Sequence, residues 1–413
     1  MARICAALIR VAGTLAFASA PAWILPAPAA AAQEHAQSRP LPGWPYNESR
    51  FPAAWFGAQP LRFENATEVA ALGRYSLVLF GWQALQLYEN YTDVMQAQVE
   101  QAQRIKKAHA GVPVFVYTPV EDTQPYYKHS RPLFVQRERY KDMLLLGSST
   151  NSSDFFQPKY KCIGPHTNAC INCEVNFWNS SSLHWFESFV TALAQQDGFD
   201  GIFFDGGEGM LMNGGAKWRG AANAPADATE DQALTVQVEI TKRAIAAAAA
   251  HGKYPMFNLG IKHLNYTKGP WSKYISQLNG LGLFRYYEGQ FGYPQWMENA
   301  VREMALPLPT HLHTNPNWGI NDSIAKFLII KSPYYYFSAS TNYFDSGFVW
   351  HREYEADYGT ALHKMPTTTA TTTGGVAYER EYTKCIAHVI CPPVRPREPT
   401  QQPPHCNGTI MWK

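Results

Sequence analysis

The sequence predicts an α/β protein, a (β/α)8 TIM barrel over residues 51–345 followed by a small C-terminal β appendage over residues 346–413. Eight short apolar runs of β type recur at wide intervals, and helical patterns lie between most of them. Strands that alternate with helices pair in parallel through crossover connections, and a barrel of this kind takes ~250 residues plus insertions. An open doubly wound sheet is the alternative. It is disfavoured because no predicted strand is followed by a Gly-x-Gly-x-x-Gly turn.

The predicted strands are short apolar runs bounded by glycine, proline or polar residues, a pattern typical of buried parallel strands. They are Ala53–Ala58, Ser76–Trp82, Val112–Thr118, Gly201–Asp205, Pro255–Leu259, Gly282–Glu288, Thr310–Thr314 and Tyr334–Ser338.

The predicted helices lie between these runs and have recognisable ends. The segment Ser182–Gln196 opens with serines suited to N-capping, and Asp231–His251 is closed by Gly252. The full set is Asp93–His109, Ser182–Gln196, Asp231–His251, Trp271–Leu278, Tyr293–Met304 and Ser323–Ile330.

Two segments fall outside the repeating pattern. Residues 121–197 are too long for one connection and hold three cysteines, which predicts a disulfide-braced insertion over the barrel mouth. In the appendage, Val376–Tyr382 and Cys385–Ile390 alternate like strands, whereas the threonine-rich segment Thr367–Thr373 is predicted to be a flexible loop.

The first 32 residues are typical of a secretory signal peptide. Arg3 and Arg10 flank an apolar stretch, and small residues suited to cleavage follow it. A Pro-rich lead-in occupies residues 33–50. No later stretch approaches ~18 uninterrupted apolar residues, so no membrane span is predicted. We expect a protein that is secreted or delivered to a vacuole or lysosome.

Cysteines and sequons agree with export. Six cysteines remain after the leader, an even number that favours three disulfides, with fifteen connectivities open. They are Cys162, Cys170, Cys173, Cys385, Cys391 and Cys406. Eight N-x-Ser/Thr sequons predict glycosylated surface loops. They lie at Asn47, Asn65, Asn90, Asn151, Asn179, Asn265, Asn321 and Asn407.

Composition excludes some function classes. The net charge is only +2 with 16% charged residues and no basic cluster, which argues against nucleic acid as a partner. No cofactor motif is present, and the cysteines lack a second pair at zinc-finger spacing, so neither a cofactor nor a metal is expected. His311 and His313 alternate on the seventh strand and face the same way. For them a structural or substrate-binding role is favoured over a metal pair.

Two carboxylates are the predicted catalytic residues. Asp205 ends the fourth strand and Glu288 the sixth, each after an apolar run and before a glycine. Parallel barrel strands point their carboxyl ends into one bowl, where active sites are built. Two carboxylates ~5–10 Å apart are what glycosidic bond cleavage requires. The alternative is that each residue caps a loop or pairs with an arginine.

Side chains near the same strand ends are predicted to bind the sugar. Aromatic faces stack on the C–H faces of sugars, aromatic residues make up 14% of the chain, and an amide can hydrogen-bond a hydroxyl. The candidates are Trp55, Trp82, Tyr117, Glu208, Asn258 and Tyr286, of which Glu208 is also an alternative acid.

The segment Gly198–Asp205 resembles the DGxxxD fourth strand of a group of glycoside-hydrolase TIM barrels related to the α-galactosidase-like and endo-α-1,4-polygalactosaminidase families. Further stretches are similar to the branch called hypothetical glycoside hydrolase fifteen, over Asn176–Trp185, Tyr287–Gly289 and Asp357–Tyr382. The resemblance spans roughly residues 51–392, and its fourth-strand motif is the specific part.

This resemblance implies a (β/α)8 barrel with Asp205 as nucleophile and Glu288 as acid/base. The chain departs from the family pattern at Arg285–Tyr287, where small or apolar residues are usual, and at Cys385–His388, where an Asn-Gly turn is common. The first departure puts the substrate subsite in doubt, and the second touches only the appendage.

Together these features predict a secreted glycoside hydrolase that cleaves O-glycosidic bonds of a poly- or oligosaccharide, preferably with retention. A catalytically inactive carbohydrate-binding barrel of the cell wall or matrix is the alternative. A polysaccharide lyase or esterase is a third possibility, which would predict that Asp205→Asn keeps most activity.

Overall fold

Fourteen strands are defined in the described part of the computed structural model of the protein. In chain order they are β1 (Ala54–Gly57), β2 (Leu77–Phe80), β3 (Val114–Pro119), β4 (Asp122–Thr123), β5 (Cys173–Glu174), β6 (Gly201–Asp205), β7 (Tyr254–Asn258), β8 (Phe284–Glu288), β9 (Thr310–Thr314), β10 (Tyr335–Ala339), β11 (Thr367–Ala370), β12 (Val376–Glu381), β13 (Cys385–Cys391) and β14 (Asn407–Trp412). The structure describes residues 42–44, 46–57, 65–80, 93–120, 122–123, 127–145, 173–206, 210–211, 218, 221–258, 273–274, 277, 284–288, 292–304, 308–314, 319–340, 349–393 and 404–413.

Eight of these strands form one parallel sheet in the order β1-β2-β3-β6-β7-β8-β9-β10. The sheet closes because the Phe337 amide donates to the Pro52 carbonyl at 3.0 Å and Ala53 bridges Phe337 in parallel. The predicted (β/α)8 barrel is confirmed, and so are all eight predicted strands. Two of them, Gly201–Asp205 and Thr310–Thr314, have the predicted bounds.

Helices lie between the barrel strands. They are α1 (Ala66–Leu72), α2 (Val94–Ala108), α3 (Arg131–Val135), α4 (Arg137–Tyr140), α5 (Ser180–Ala194), α6 (Glu230–Ala250), α7 (Pro294–Glu303) and α8 (Ile320–Ile330). The first was not predicted: Asn65 caps it and forms a capping box with Glu68. The predicted helix Trp271–Leu278 lies mostly outside the described residues.

The alternation of side chains along each strand divides the core into two layers. One face of the strands fills the barrel interior with large side chains, among them Phe56, Phe115, Phe203, Phe284 and Tyr336. The other face packs against the surrounding helices. Strands buried on both faces explain why the sequence shows continuous apolar runs rather than alternation.

The lead-in closes the amino end of the barrel. The Trp44 indole donates from Nε1 to the Tyr336 hydroxyl at 2.7 Å, and the Tyr46 hydroxyl donates to the Tyr335 carbonyl at 3.1 Å. The Trp44 ring also meets the Phe115 and Tyr254 rings edge-on, at centroid distances of 5.9 and 5.1 Å. We call Trp44 and Tyr46 the barrel plug.

The insertion begins directly after β3. Its first strand, β4, pairs antiparallel with β5, which places Asp122 opposite Glu174. Helices α3 and α4 lie between the two strands in sequence. The predicted cysteine bracing rests on Cys162, Cys170 and the Cys173 side chain, which lie outside the described residues.

The C-terminal appendage is a four-stranded antiparallel sheet in the order β11-β12-β13-β14. The prediction of a flexible loop at Thr367–Thr373 is wrong for its first four residues, because Thr367–Ala370 form the edge strand β11 and pair with β12. Threonine is β-branched and suits an exposed edge strand, a preference that outweighs low sequence complexity here. The sheet and the barrel belong to one unit, Arg39–Lys413.

Arg380 on β12 joins this sheet to the end of helix α8. Its buried guanidinium donates to the carbonyls of Leu328, Ile329 and Lys331, and the Tyr382 hydroxyl donates to the Leu328 carbonyl at 2.6 Å. The last carbonyls of a helix have no partner within the helix, and a cation there also interacts favourably with the helix dipole. The appendage therefore supplies the hydrogen-bond donors for the carbonyls at the end of α8.

One of the predicted disulfides is present. Cys391 at the end of β13 is bonded to Cys406, just before β14. The prediction that Cys385 is also disulfide-bonded is wrong, because its thiol is free and buried, 3.6 Å from the Tyr358 carbonyl. Burial raises the pKa of the Cys385 thiol to about 11.

Candidate active site

Asp205 is the last residue of β6 and lies at the carboxyl end of the barrel. The four residues before it are buried, whereas Asp205 itself is half-buried. Gly206 follows with a φ of 71°, a left-handed conformation that favours glycine and turns the chain away from the strand. The strand thus delivers a carboxylate to the rim of the barrel.

Three donors hold the Asp205 carboxylate. The Tyr117 hydroxyl donates to Oδ2 at 2.8 Å, and Asn258 donates from Nδ2 to Oδ1 at 2.8 Å. The backbone amide of Gly206 also donates to Oδ1, at 3.1 Å. Tyr117 lies on β3 and Asn258 ends β7, so the two strands that flank β6 both contribute.

The two oxygens of Asp205 are not equivalent. Each carboxylate oxygen has two lone pairs, and the described residues use both on Oδ1 but only one on Oδ2. Oδ2 is therefore the oxygen with capacity to meet another atom. Its orientation is fixed by the Tyr117 hydroxyl.

Glu288 occupies the matching position two strands away. It is the last residue of β8, two positions beyond Tyr286, and pairs in register with His313 on β9. Its side chain lies outside the described part of the structure, as do Trp82 and Glu208.

A second group of hydrogen-bonded side chains lies on β8, on β9 and directly after β10. The Tyr286 hydroxyl lies 3.0 Å from His313 Nδ1, and His313 Nε2 lies 2.6 Å from Ser340 Oγ. Burial lowers the pKa of His313 to about 3, so the imidazole is neutral near pH 7. One layer deeper, His311 Nε2 lies 2.8 Å from Ser338 Oγ.

The predicted sugar-stacking roles do not fit the positions of three aromatic residues. Trp55 is 3% exposed and packs on Phe80 in the layer between sheet and helices, so it does not face the mouth. Tyr286 is 1% exposed, with Phe203 and other rings around it. Tyr117 is also buried and contacts the site through its hydroxyl. Alternation alone could not reveal which face of each strand is inside.

The sequence analysis did not identify Ser338 and Ser340, the two serines that hydrogen-bond His311 and His313. Ser338 and Ser340 share the alternation of His311 and His313 on the neighbouring strand, and the ladder places His313 opposite Ser338. A polar pair at alternate positions on two adjacent apolar strands was the available signal.

Among the described residues, no group of three His, Cys, Asp or Glu side chains could hold a metal ion.

Five predicted glycosylation sites lie on described residues. Asn47, Asn65, Asn321 and Asn407 are exposed. Asn179 is half-buried and donates from Nδ2, the atom to which an N-linked glycan attaches, to the Asp142 carbonyl at 3.0 Å. The sites at Asn90, Asn151 and Asn265, and the leader at residues 1–32, lie outside the described residues.

Within the described residues, no helix has the length and apolar character needed to cross a membrane.

No family model matches the chain, and no curated protein matches it in sequence. Among solved structures it is similar to the GH36 α-galactosidase AgaB from Geobacillus stearothermophilus, with a TM-score of 0.44, 10% identity, and coverage of 86% of this chain and 48% of that chain. The chain thus spans about half the length of that relative, and likewise 49% of the related α-galactosidase AgaA.

The chain is also similar to two further solved structures. A debranching enzyme from Nostoc punctiforme has a TM-score of 0.44 and 9% identity, with 83% of this chain and 87% of that chain covered. An old yellow enzyme homologue from Zymomonas mobilis has a TM-score of 0.38 and 11% identity, with 64% and 77% covered. Likenesses of this degree concern the barrel fold and carry no argument about activity.

Proposed function

We propose that the protein is a secreted glycoside hydrolase that cleaves O-glycosidic bonds of a poly- or oligosaccharide, with Asp205 and Glu288 as its carboxylate pair. The observation that carries the proposal is the Asp205 carboxylate, which Tyr117, Asn258 and Gly206 hold at the rim of a parallel barrel. A carboxylate that is fixed by three donors and, within the described residues, keeps one unused lone pair on Oδ2 is suited to attack rather than to capping a loop.

The proposed chemistry is retaining hydrolysis. Asp205 Oδ2 attacks the anomeric carbon and forms a glycosyl ester, while Glu288 gives a proton to the leaving oxygen. Glu288 then removes a proton from water, which attacks the anomeric carbon and releases Asp205 as a carboxylate. Tyr117 and Asn258 keep the nucleophile in one orientation throughout, which lowers the entropic cost of attack.

Export of the enzyme is part of the proposal. The leader at residues 1–32 and the eight sequons support a secretory route, with a vacuole or lysosome as the alternative destination. Mass spectrometry of the mature protein from a eukaryotic culture tests this, because a first residue within the leader and unmodified asparagines would contradict it.

The test is hydrolysis of a glycan panel by wild type and matched variants. Asp205→Asn is expected to abolish hydrolysis, and Glu288→Gln to lower kcat/KM by roughly 10²–10⁴-fold for substrates with poor leaving groups. The control is Asp197→Asn, which makes the same exchange at an exposed position before β6 and should leave kcat/KM unchanged.

Azide and product analysis separate the mechanisms. With an activated substrate, Asp205→Gly should be rescued by azide and give the glycosyl azide of opposite anomeric configuration. A carboxyl separation near ~5 Å in a crystal structure supports retention, whereas ~6.5–9.5 Å supports inversion. Glycan binding without hydrolysis by wild type supports the inactive binding barrel instead. Hydrolysis that persists in Asp205→Asn contradicts the proposal.

A further inference from the structure

The chain Tyr286–His313–Ser340 links three successive barrel strands by side-chain hydrogen bonds. Tyr286 lies on β8, His313 on β9, and Ser340 directly follows β10. The Tyr286 hydroxyl is 3.0 Å from His313 Nδ1, and His313 Nε2 is 2.6 Å from Ser340 Oγ. Both ring nitrogens of His313 are therefore engaged, and the ring plane is fixed between a phenol and an alcohol.

The direction of donation along this chain follows from the chemistry of its members. A neutral imidazole has one donor nitrogen and one acceptor nitrogen. A phenol is a stronger hydrogen-bond donor than an alcohol, so we assign Tyr286 as the donor to Nδ1, which leaves the proton of His313 on Nε2. With this tautomer His313 donates to Ser340 Oγ, and the Ser340 hydroxyl hydrogen is available to another acceptor.

Ser340 lies at the mouth of the barrel. Its backbone amide donates to the Thr314 carbonyl at 3.0 Å, which extends the β9–β10 ladder by one residue and fixes its position. Ser340 is half-buried, and within the described residues its hydroxyl has no hydrogen-bond partner besides His313.

Ser340 and Asp205 lie on opposite sides of the mouth. Asp205 ends the fourth strand of the closed sheet and Ser340 follows the eighth, so three strands lie between them in either direction around the barrel. All barrel strands are parallel, and their carboxyl ends therefore share one rim. A ligand that contacts Asp205 Oδ2 from inside the rim extends toward Ser340.

We infer that Ser340 is a substrate-binding residue that donates a hydrogen bond to a neutral sugar oxygen across the mouth from Asp205, and that Tyr286 and His313 are its positioning residues. This inference rests on the proposed function and names a substrate class, neutral glycans, because the three groups of the chain carry no charge near pH 7. A fixed uncharged donor matches a hydroxyl or ring oxygen, and a buried polar site of this kind discriminates against sugars that lack the acceptor.

The layer beneath offers a matched comparison. His311 and Ser338 form the same imidazole–hydroxyl pair at 2.8 Å, but His311 is fully buried and Ser338 is 5% exposed. The two pairs have the same chemistry and differ in depth. An effect of Ser340→Ala that Ser338→Ala does not reproduce therefore reports contact with a ligand rather than loss of a hydroxyl.

The experiment measures kcat and KM for a neutral oligosaccharide with wild type, Ser340→Ala, Ser338→Ala, His313→Gln and the Ser340→Ala/His313→Gln double variant. Ser340→Ala should raise KM roughly 3- to 10-fold with kcat within about twofold, because a neutral hydrogen bond present in both ground and transition states is lost. Ser338→Ala should keep the wild-type KM. The double variant should show no larger loss than the more affected single variant.

A second measurement does not depend on activity. The nitrogen chemical shifts of His313 in the folded wild type report its tautomer, and we expect the proton on Nε2 between pH 5 and 8, above the His313 pKa of about 3. A proton on Nδ1 would make Ser340 donate to His313 and overturns the inference. This measurement decides even where His313→Gln fails to fold.

The outcomes separate the inference from the proposed function. Equal KM values for wild type and Ser340→Ala overturn the inference and leave the role of Asp205 intact. Hydrolysis that survives in Asp205→Asn overturns the proposed function, while the KM of Ser340→Ala still decides the role of Ser340. Equal effects of Ser338→Ala and Ser340→Ala also contradict the inference, since depth would then make no difference.

Discussion

Replacing Arg380 by alanine should destabilise the whole protein, although Arg380 lies far along the chain from the candidate active site. The residue is 6% exposed, and its guanidinium donates to three carbonyls at the end of α8 and to the carbonyls of His363 and Lys364. Alanine removes all five hydrogen bonds and leaves a cavity between β12 and the end of α8.

The magnitude follows from which carbonyls lose their partner. The Leu328 carbonyl keeps the hydrogen bond from the Tyr382 hydroxyl at 2.6 Å, so it stays satisfied. The carbonyls of Ile329 and Lys331 lose the guanidinium. A buried polar group left without a partner costs about 1–3 kcal/mol, so two of them predict a loss of about 2–6 kcal/mol in the free energy of unfolding.

Thermal and urea unfolding followed by tryptophan fluorescence measure this loss. For a chain of this size the unfolding entropy is on the order of 0.8 kcal/mol/K, so Tm should fall by about 3–8 °C. Arg380→Lys should recover only part of the loss, because an ammonium cannot donate in a planar fork. The control is Arg104→Ala: Arg104 is 44% exposed and paired with Glu100 at 2.7 Å, and its loss should cost no more than ~0.5 kcal/mol. A loss for Arg380→Ala as small as that of the control would refute the reasoning.

Three further predictions concern other parts of the molecule. Replacing Cys391 and Cys406 by serine should lower the free energy of unfolding by ~3 kcal/mol, since the disulfide spans 15 residues. The buried thiol of Cys385 should react with a thiol reagent at pH 8 only after unfolding. The free energy of unfolding should fall as the pH drops from ~6.5 toward 3. In this range the unfolded chain binds a proton at His313, whereas the folded protein does not, because burial lowers the pKa of His313 to about 3. A His313 variant that folds should show a weaker pH dependence in urea titrations between these pH values. Trp44→Ala should lower the free energy of unfolding by ~3–5 kcal/mol through loss of the barrel plug, and a change below ~1 kcal/mol would contradict its role.

Much of the barrel could be predicted from the sequence because its strands are buried on both faces. Gly201–Asp205 shows this signal as an apolar run that stops at a carboxylate, and its predicted ends coincide with those of the strand. Thr310–Thr314 also has the predicted ends, although Leu312 is its only aliphatic residue. The sequence does not show which side of the sheet each residue faces. Alternation places Trp55 and Phe56 on opposite faces, but only the tertiary fold decides that Phe56 is inside and Trp55 outside.

The candidate site shows the same division. The position of Asp205 at a strand end was readable from an apolar run that stops at a carboxylate. Tyr117 and Asn258 were also predicted to lie near this end of the barrel, as sugar-binding residues. Their hydrogen bonds to Asp205 could not be predicted, because they reach it from neighbouring strands 88 and 53 residues away. The free thiol of Cys385 likewise depends on spatial proximity, which an even number of cysteines does not reveal.

The barrel plug has a consequence for the order of folding. Trp44 and Tyr46 bind residues 292 and 289 positions later in the chain, on the eighth barrel strand. During synthesis these two aromatic residues emerge early, but their hydrogen-bond partners are not available until the last barrel strand has been made. Closing so long a loop is entropically costly and is repaid only when the barrel exists. Trp44 and Tyr46 therefore complete their contacts only after the eighth barrel strand has formed, and a docked plug indicates that the barrel is closed.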